Sequence, residues 1–488
     1  MNILDCFSGK QLTQGQHDLV EELDQFLFDD TRSVFLLKGW AGVGKTFITA
    51  GITKYLNTEG RQFVLMAPTG KAAKVIANKT KQKALTIHRV IYSYFDVNNS
   101  NENKDKLEPP IVASKIKENK DAPDTVYIID ESSMISDKFN KSEACSYGSG
   151  YLLIDLLEYI NLDKRHKKKV IFIGDNAQLP PVRDNFSPAL DNQYLRDKYQ
   201  LNCQAFELKE VVRQKAGSGV IAIAKQLRHT IGSNTFSELS FDVSAGDTHV
   251  LTINEMLEEY FRVCEERVEK TKEVIIIAYS NIQVRNYNNT IRAKLFSPDA
   301  PLQIGEKIMC VSNFIHDDSF ISNGEFGKVI NISSNIEIRT AEVYTERHGR
   351  RVLKYVDLVF LDVEIEFLDD HGKPFILASK ILSNLLYGAM PRLSQLEYKA
   401  LYADFFQRNP NINYNTSPAE CKELMNKDPY LNIIQIKFGY SITCHKAQGS
   451  EWAHVFVDRY HRLPKSNECL RWLYTAVTRT SKNLYVSK

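Results

Sequence analysis

Gly39-Trp40-Ala41-Gly42-Val43-Gly44-Lys45-Thr46 ends a glycine-spaced run with a lysine and a hydroxyl, in the pattern G-x-x-x-x-G-K-T. Residues of these types at this spacing suit a polyphosphate. Gly39, Gly42 and Gly44 let backbone N–H groups close round phosphate oxygens, Lys45 reaches the β- and γ-phosphates, and the Thr46 hydroxyl holds Mg²⁺. A Gly-rich turn can match by chance. The strand-like run Ser33 to Leu37 before it and the helix-compatible run Phe47 to Leu56 after it supply the context that a phosphate loop needs. A second constellation is Val126-Tyr127-Ile128-Ile129-Asp130-Glu131, an apolar strand closed by two acids. Such acids are costly to bury without a cation. Asp130 is expected to hold Mg²⁺ through water, and Glu131 to orient and deprotonate an attacking water.

Other side chains extend the chemistry. Gln178 follows a predicted strand in Gly174-Asp175-Asn176-Ala177-Gln178 and is placed to sense a γ-phosphate. Gln16, on the first turn of a helix, has an amide that can pair with an adenine edge, although an exposed helix glutamine reads the same. Arg213 and Arg479 lie far from the phosphate loop in sequence. Taken alone each reads as a surface arginine, but across a cleft either would neutralise a γ-phosphoryl transition state, worth about 10³–10⁵ in rate.

These groups need an α/β scaffold. A helix is expected from Leu12 to about Phe28, capped by Thr13, with Leu19, Val20, Leu23 and Phe26 as its apolar face. Phe63–Ala67 is a buried parallel strand that turns through Pro68-Thr69-Gly70 into a helix, the kind of turn where α/β sheets bind ligands. His88 follows Leu85-Thr86-Ile87, and a lone histidine there is more often structural. Val90, Ile91, Tyr92, Tyr94 and Phe95 are strand-like and lead to a polar tip, so residues 89–121 read as a small β-hairpin insertion. The basic run Lys164–Lys169 reads as a solvated connector. Val274–Ala278 opens a second α/β lobe. From 301 to 435 strand-like runs meet at Asn323-Gly324, His348-Gly349 and His371-Gly372, with an amphipathic helix over Leu393–Phe406. Ile433–Tyr440 is expected to resume the second lobe.

Composition sets the frame. The 488 residues suffice for two to four domains. With 62 Lys+Arg against 60 Asp+Glu, any basic groove must come from local arrangement. Eight cysteines form no C-x-x-C pair, which argues against zinc or iron–sulfur and fits a reducing compartment. No apolar run approaches membrane-spanning length and no leader pattern opens the chain, so the expectation is a cytoplasmic protein, bacterial or made in a phage-infected cell.

The motifs L-T-x-x-Q, GWAGVGKT, APTGKAA, TIH, DESSM, GDNAQLPP, LKEVVRQ, TCHKAQGSEW and YTAVTR occur in this order between residues 12 and 479. As an ordered set they resemble superfamily-1 helicases, and the TIH and T-x-H-K-A-Q-G forms resemble the B branch of RecD-like and phage Dda-like enzymes. Ala278–Arg292 resembles that family's A-x-[ST]-N element. The resemblance implies two RecA-like lobes, over 1–88 with 122–205 and over 206–300 with 436–488. It also implies a strand-separating hairpin at 89–121 and an SH3-like β-barrel insertion with a helical arm at 301–435. It assigns Gln16 to adenine, Gln178, Arg213 and Arg479 to the γ-phosphate, and Glu451 to the ribose. Pro68, Thr69, His88, Ser280, Thr443 and His445 become DNA-facing residues. The implied activity is ATP- and Mg²⁺-dependent 5′→3′ movement on single-stranded DNA, with unwinding of duplexes carrying a 5′ tail. RNA is an alternative strand, since phosphate grip discriminates the 2′-OH poorly. The rival readings are an ATP-gated nucleic-acid-binding switch without processive unwinding, and an unrelated phosphate-loop kinase. Trp40 departs from the family pattern, which has a small residue or proline at that position. It is expected either to pack on the neighbouring lobe or to cover the nucleotide.

Overall fold

Short runs of Val, Ile, Leu and Phe bounded by small or polar residues form the strands of two all-parallel sheets. The computed structural model describes residues 2–93, 112–140, 145–162, 167–212, 218–233, 243–316, 319–347, 350–369, 372–412, 418–459 and 466–488. In the first sheet the order is Ala84–Thr86, Phe63–Ala67, Val126–Ile129, Lys169–Gly174, Val34–Gly39, Cys203–Leu208. Every neighbouring pair runs parallel. The second sheet orders Thr248–Leu251, Thr480–Ser487, Trp452–Val457, Val274–Ala278, Ser441–Thr443, again all parallel. The central strands of both sheets are buried on both faces, which is why they read as unbroken apolar runs.

The third sheet is antiparallel and lies between the halves of the second in sequence. Its order is Pro374–Leu382, Arg350–Leu368, Phe326–Arg347, Lys307–Cys310, Ile436–Phe438. Its two longest strands form a ribbon that runs from Lys328 opposite Glu366 to Arg347 opposite Arg350, with register shifts between Val329 and Asn331 and between Ile332 and Ile336. The helix Gln395–Arg408 packs Ala400, Leu401 and Ala403 into the core that this ribbon shares with the second lobe.

Four expectations need correction. Val90 and Ile91 are helical: Thr86 caps the helix Ile87–Ile91 by accepting from the Arg89 N–H, and this local cap outweighs β-propensity. The hairpin therefore starts at Tyr92–Ser93, which pairs with Val112–Ile116, and Tyr94 and Phe95 lie outside the described residues. The strand Cys203–Leu208 crosses the expected boundary at 205, because it pairs along its whole length with Val34–Gly39. Ile436–Phe438 does not resume the second lobe. It completes the antiparallel sheet against Lys307–Cys310, and Ser441–Thr443 is the strand that rejoins the parallel sheet. A continuous apolar run does not reveal which sheet it enters. No described helix is long and apolar enough to cross a membrane.

Candidate nucleotide cleft and nucleic-acid face

The phosphate loop joins the strand Val34–Gly39 to the helix Lys45–Thr58. Gly44 is left-handed at φ +88°, and a Cβ there would stand 2.7 Å from Nε2 of Gln16, so glycine is required twice over. Gln16 also lines the cleft in front of the loop. Its Oε1 accepts from the Thr13 N–H at 3.1 Å in a capping box, and its Nε2 donates to the Val43 carbonyl at 2.9 Å. The amide is thus engaged in bracing the loop. The helix start uses one end of the side chain and the tight loop the other.

A cleft of about 900 Å³ opens in front of this loop. Gly42, Gly44, Lys45, Thr46, Asp130, Glu131 and Gln178 line it from the first lobe, and Gly449, Glu451 and Arg479 from the second. Lys45 donates through Nζ to the carbonyls of Gly39 at 2.8 Å and Trp40 at 2.9 Å. Burial pulls its pKa down, and Asp175, Glu131 and Asp130 oppose that pull. Asp130 is pushed up to about 6, first by burial and then by the neighbouring Glu131 carboxylate. Glu131 sits at φ +50°, a left-handed conformation that costs a non-glycine residue of order 1–3 kcal/mol and clusters at functional sites. Two adjacent acids, one of them largely buried, in one cleft with the Thr46 hydroxyl make a donor set that suits Mg²⁺. Gln178 is 3% exposed, and its Oε1 has no hydrogen-bond partner among the described residues. Arg479, also buried, is held by its Nε–H donating to the Thr475 carbonyl at 2.9 Å. Arg213 lies outside the described residues.

The residues expected to face DNA gather at the C-terminal ends of strands. Pro68 and Thr69 follow Phe63–Ala67, and His88 follows the adjacent strand Ala84–Thr86. Ser280 follows Val274–Ala278, whose last residue pairs with Thr443. Thr69 and Ser280 also cap the helices behind them by accepting from the N–H groups of Ala72 and Gln283. His88 packs against the rings of Tyr147 and Tyr92, and burial lowers its pKa to about 4, so it is neutral near pH 7. His445 is exposed. Tyr92 is removed from the candidates for splitting a duplex: it is buried, and its hydroxyl donates to Asp155 at 2.6 Å.

Several residues of the site escaped the sequence reading. Arg285, Lys437 and Lys446 line a groove of about 50 Å³ beside Thr443. Burial, then the Arg285 charge, lowers Lys437 to about 8, and burial, then Arg392, lowers Lys446 to about 8. Crowded cations of this kind are relieved by a phosphate. Lys446 and Arg285 lie within stretches that resemble family motifs, whereas Lys437 carries no local signal. Lys71 projects from the first lobe over the rings of Phe326 at 4.5 Å and Trp452 at 4.7 Å. Trp40 lies along the neighbouring lobe, with the Arg228 guanidinium 5.1 Å above its ring, and lines a small cavity with Val220, Ile221 and Tyr474. Of the two expectations for Trp40, packing on the lobe is the one realised.

Comparison with known proteins agrees with this geometry. Residues 28–184 match the family described as AAA domain, and residues 438–487 match the UvrD-like helicase C-terminal domain. The ATP-dependent DNA helicase dda of Enterobacteria phage T4 is 25% identical over 61% of this chain and 60% of its own length. The ATP-dependent RecD2 DNA helicase of Deinococcus radiodurans is 29% identical over 40% of this chain and 21% of its own. These matches agree with the resemblance of the ordered motifs to superfamily-1 helicases of the RecD-like and Dda-like branch. Among solved structures, Pif1 helicase from Bacteroides in complex with ADP-AlF3 and ssDNA aligns over 98% of this chain and 92% of that chain, at 15% identity and a TM-score of 0.45.

Proposed function

We propose that this chain is an ATP-dependent superfamily-1 DNA helicase that moves 5′→3′ along single-stranded DNA and unwinds duplexes that carry a 5′ tail. The observation that carries the proposal is the single cleft lined by Lys45, Asp130, Glu131 and Gln178 from one lobe and by Glu451 and Arg479 from the other. Lys45 holds the β- and γ-phosphates, and Gly39, Gly42 and Gly44 let the backbone wrap them. Thr46 and Asp130 hold Mg²⁺, which neutralises phosphate charge when bound. Glu131 orients water, Gln178 and Arg479 face the γ-phosphate, and Glu451 takes the ribose. Arg213 is assigned the same γ-phosphate role by its motif. Gln16 acts indirectly, by fixing the loop.

The domain organisation we propose follows the sheets, with a first lobe over 1–88 and 122–208, a hairpin between them, a second lobe over 209–300 and 439–488, and an SH3-like insertion over 301–438. ATP draws the lobes together and hydrolysis releases them. Pro68, Thr69 and His88 on one lobe and Ser280, Thr443 and His445 on the other grip phosphates alternately.

The test is strand separation by the pure protein on 5′-tailed, 3′-tailed and blunt duplexes, with DNA-stimulated ATPase measured alongside. Preference for the 5′ tail is expected, and preference for the 3′ tail overturns the polarity. Lys45→Ala should lose turnover and keep strand binding; unwinding at the wild-type rate by that variant would sink the site assignment. Turnover stimulated well below about tenfold by DNA, without strand separation, favours the ATP-gated switch. An RNA 5′ tail run in parallel decides strand preference.

A further inference from the structure

The short segment Asp175–Leu179, which carries Gln178, is held mainly by side chains of the opposite lobe. Thr475 accepts from the Leu179 N–H at 2.9 Å, and Gln448 Nε2 donates to the Leu179 carbonyl at 3.0 Å. Tyr474 donates from its hydroxyl to Asp175 Oδ2 at 2.6 Å, and the same hydroxyl accepts from the Ala41 N–H of the phosphate loop at 3.2 Å. At the centre stands Arg228, from the helix Gly219–Ser233. Its guanidinium pairs with the fully buried Asp175 carboxylate. It also donates to Asn176 Oδ1 at 2.9 Å and Glu207 Oε1 at 2.7 Å. The rings of Trp40 and Tyr474 lie 5.1 and 5.9 Å from it.

The planar fork explains why this residue is an arginine. One rigid cation meets three acceptors of the first lobe while stacking on aromatic faces, which an ammonium does poorly. A buried carboxylate such as Asp175 is strongly destabilised if its partner is removed, so the clasp has one preferred geometry. Gln178 sits inside the clasped segment with its side-chain oxygen unpartnered among the described residues, and Arg479 leaves the same helix end that supplies Tyr474 and Thr475. Whatever fixes Asp175 and Tyr474 therefore fixes both γ-phosphate-facing groups relative to Lys45.

We propose that Arg228 is a positioning residue for ATP hydrolysis: by clasping Asp175 and Asn176 from across the cleft, it sets Gln178 and Arg479 against the phosphate loop. Arg228 is not among the residues that line the cleft. This inference rests on the proposed reading of the cleft as the ATP site. Its distinctive consequence is a loss concentrated in turnover, because Lys45 is held by the Gly39 and Trp40 carbonyls of its own loop rather than by Arg228.

The test is steady-state ATPase of the full chain with saturating oligo(dT), for wild type, Arg228→Ala, Arg228→Lys and Tyr474→Phe, with melting curves for each. Arg228→Ala should lower kcat by roughly 10- to 100-fold, the scale expected when reacting groups are misplaced by about 1 Å. KM for ATP should stay within about threefold. Arg228→Lys should recover part of the loss, because a lysine can pair with Asp175 but cannot span all three acceptors. Tyr474→Phe, which removes one hydroxyl and keeps the ring, should also lower kcat with little change in KM, and serves if Arg228→Ala does not fold. A kcat within about twofold of wild type in the folded variants overturns the proposal whatever the melting temperature does, and so does a rise in KM at unchanged kcat. Absence of DNA-stimulated turnover in the wild type would instead overturn the reading of the cleft on which it rests.

Discussion

At the scale of single residues, the phosphate loop is braced by side chains that come from outside it. Gln16 is the plainest case. Replacing it with alanine leaves the Val43 carbonyl unpaired and removes a capping box, so Gln16→Ala should lower stability by about 1–3 kcal/mol in denaturant melts. It should raise KM for ATP while leaving preference for adenine over guanine nucleotides unchanged, and a selective loss of that preference would restore the base-reading role. Lys307 gives a prediction on pH. It is buried, its ammonium donates to the carbonyls of Thr271 and Val274, and desolvation lowers its pKa to about 7 from an ordinary value near 10.5. Between those values the unfolded chain holds the proton more firmly than the folded one, so stability rises with pH across that window and is flat with respect to this group below it. Lys307→Met should remove up to about 1.4 kcal/mol per pH unit of that slope, read from urea melts between pH 7 and 10.

At the scale of elements, the legible parts of the chain were those whose signal is local. The phosphate loop, the paired acids and the Thr13 cap are fixed by residues within a few positions of one another. Buried strands announce themselves as apolar runs. Partnership is not local: Ile436–Phe438 looks like any strand of the second lobe until Lys307–Cys310 stands beside it. Arg228 falls on a helix among Lys225, Gln226 and His229, a sequence that reads as a solvent face. Its acceptors lie 53, 52 and 21 positions away, so nothing near it betrays the clasp. The helix Asn281–Leu295 is anchored in a similar non-local way. Arg292 meets Glu306 through Nε and Nη2, each at 2.8 Å, with both side chains buried. Arg292→Met strands the Glu306 carboxylate and should cost about 3–5 kcal/mol, whereas Arg292→Met with Glu306→Leu should recover most of it. If the double variant melts as low as the single one, the pair is not the anchor.

At the scale of the whole molecule, the first parallel sheet turns C-terminal strand ends toward the cleft, and the second contributes to it from the segments just before Trp452–Val457 and Thr480–Ser487. The residues proposed to face nucleic acid lie at C-terminal strand ends of both sheets. Net charge is only +2, so affinity for a polyanion has to come from clustered cations such as Arg285, Lys437 and Lys446. Binding of oligo(dT) should weaken steeply with salt, with a slope in log–log form of about −0.7 per phosphate contacted. Lys437→Gln should reduce that slope by about one contact, and an unchanged slope would move the phosphate path elsewhere. Three tryptophans serve the entire chain, at 40, 452 and 472. Two of them bear a cation on the ring face that belongs to the opposite lobe: Arg228 over Trp40 and Lys71 over Trp452. Any hinge movement that separates the lobes must lift both charges from both indoles at once. The protein thereby carries its own optical gauge, and its unlabelled near-ultraviolet emission should report each opening and closing stroke in a stopped-flow trace.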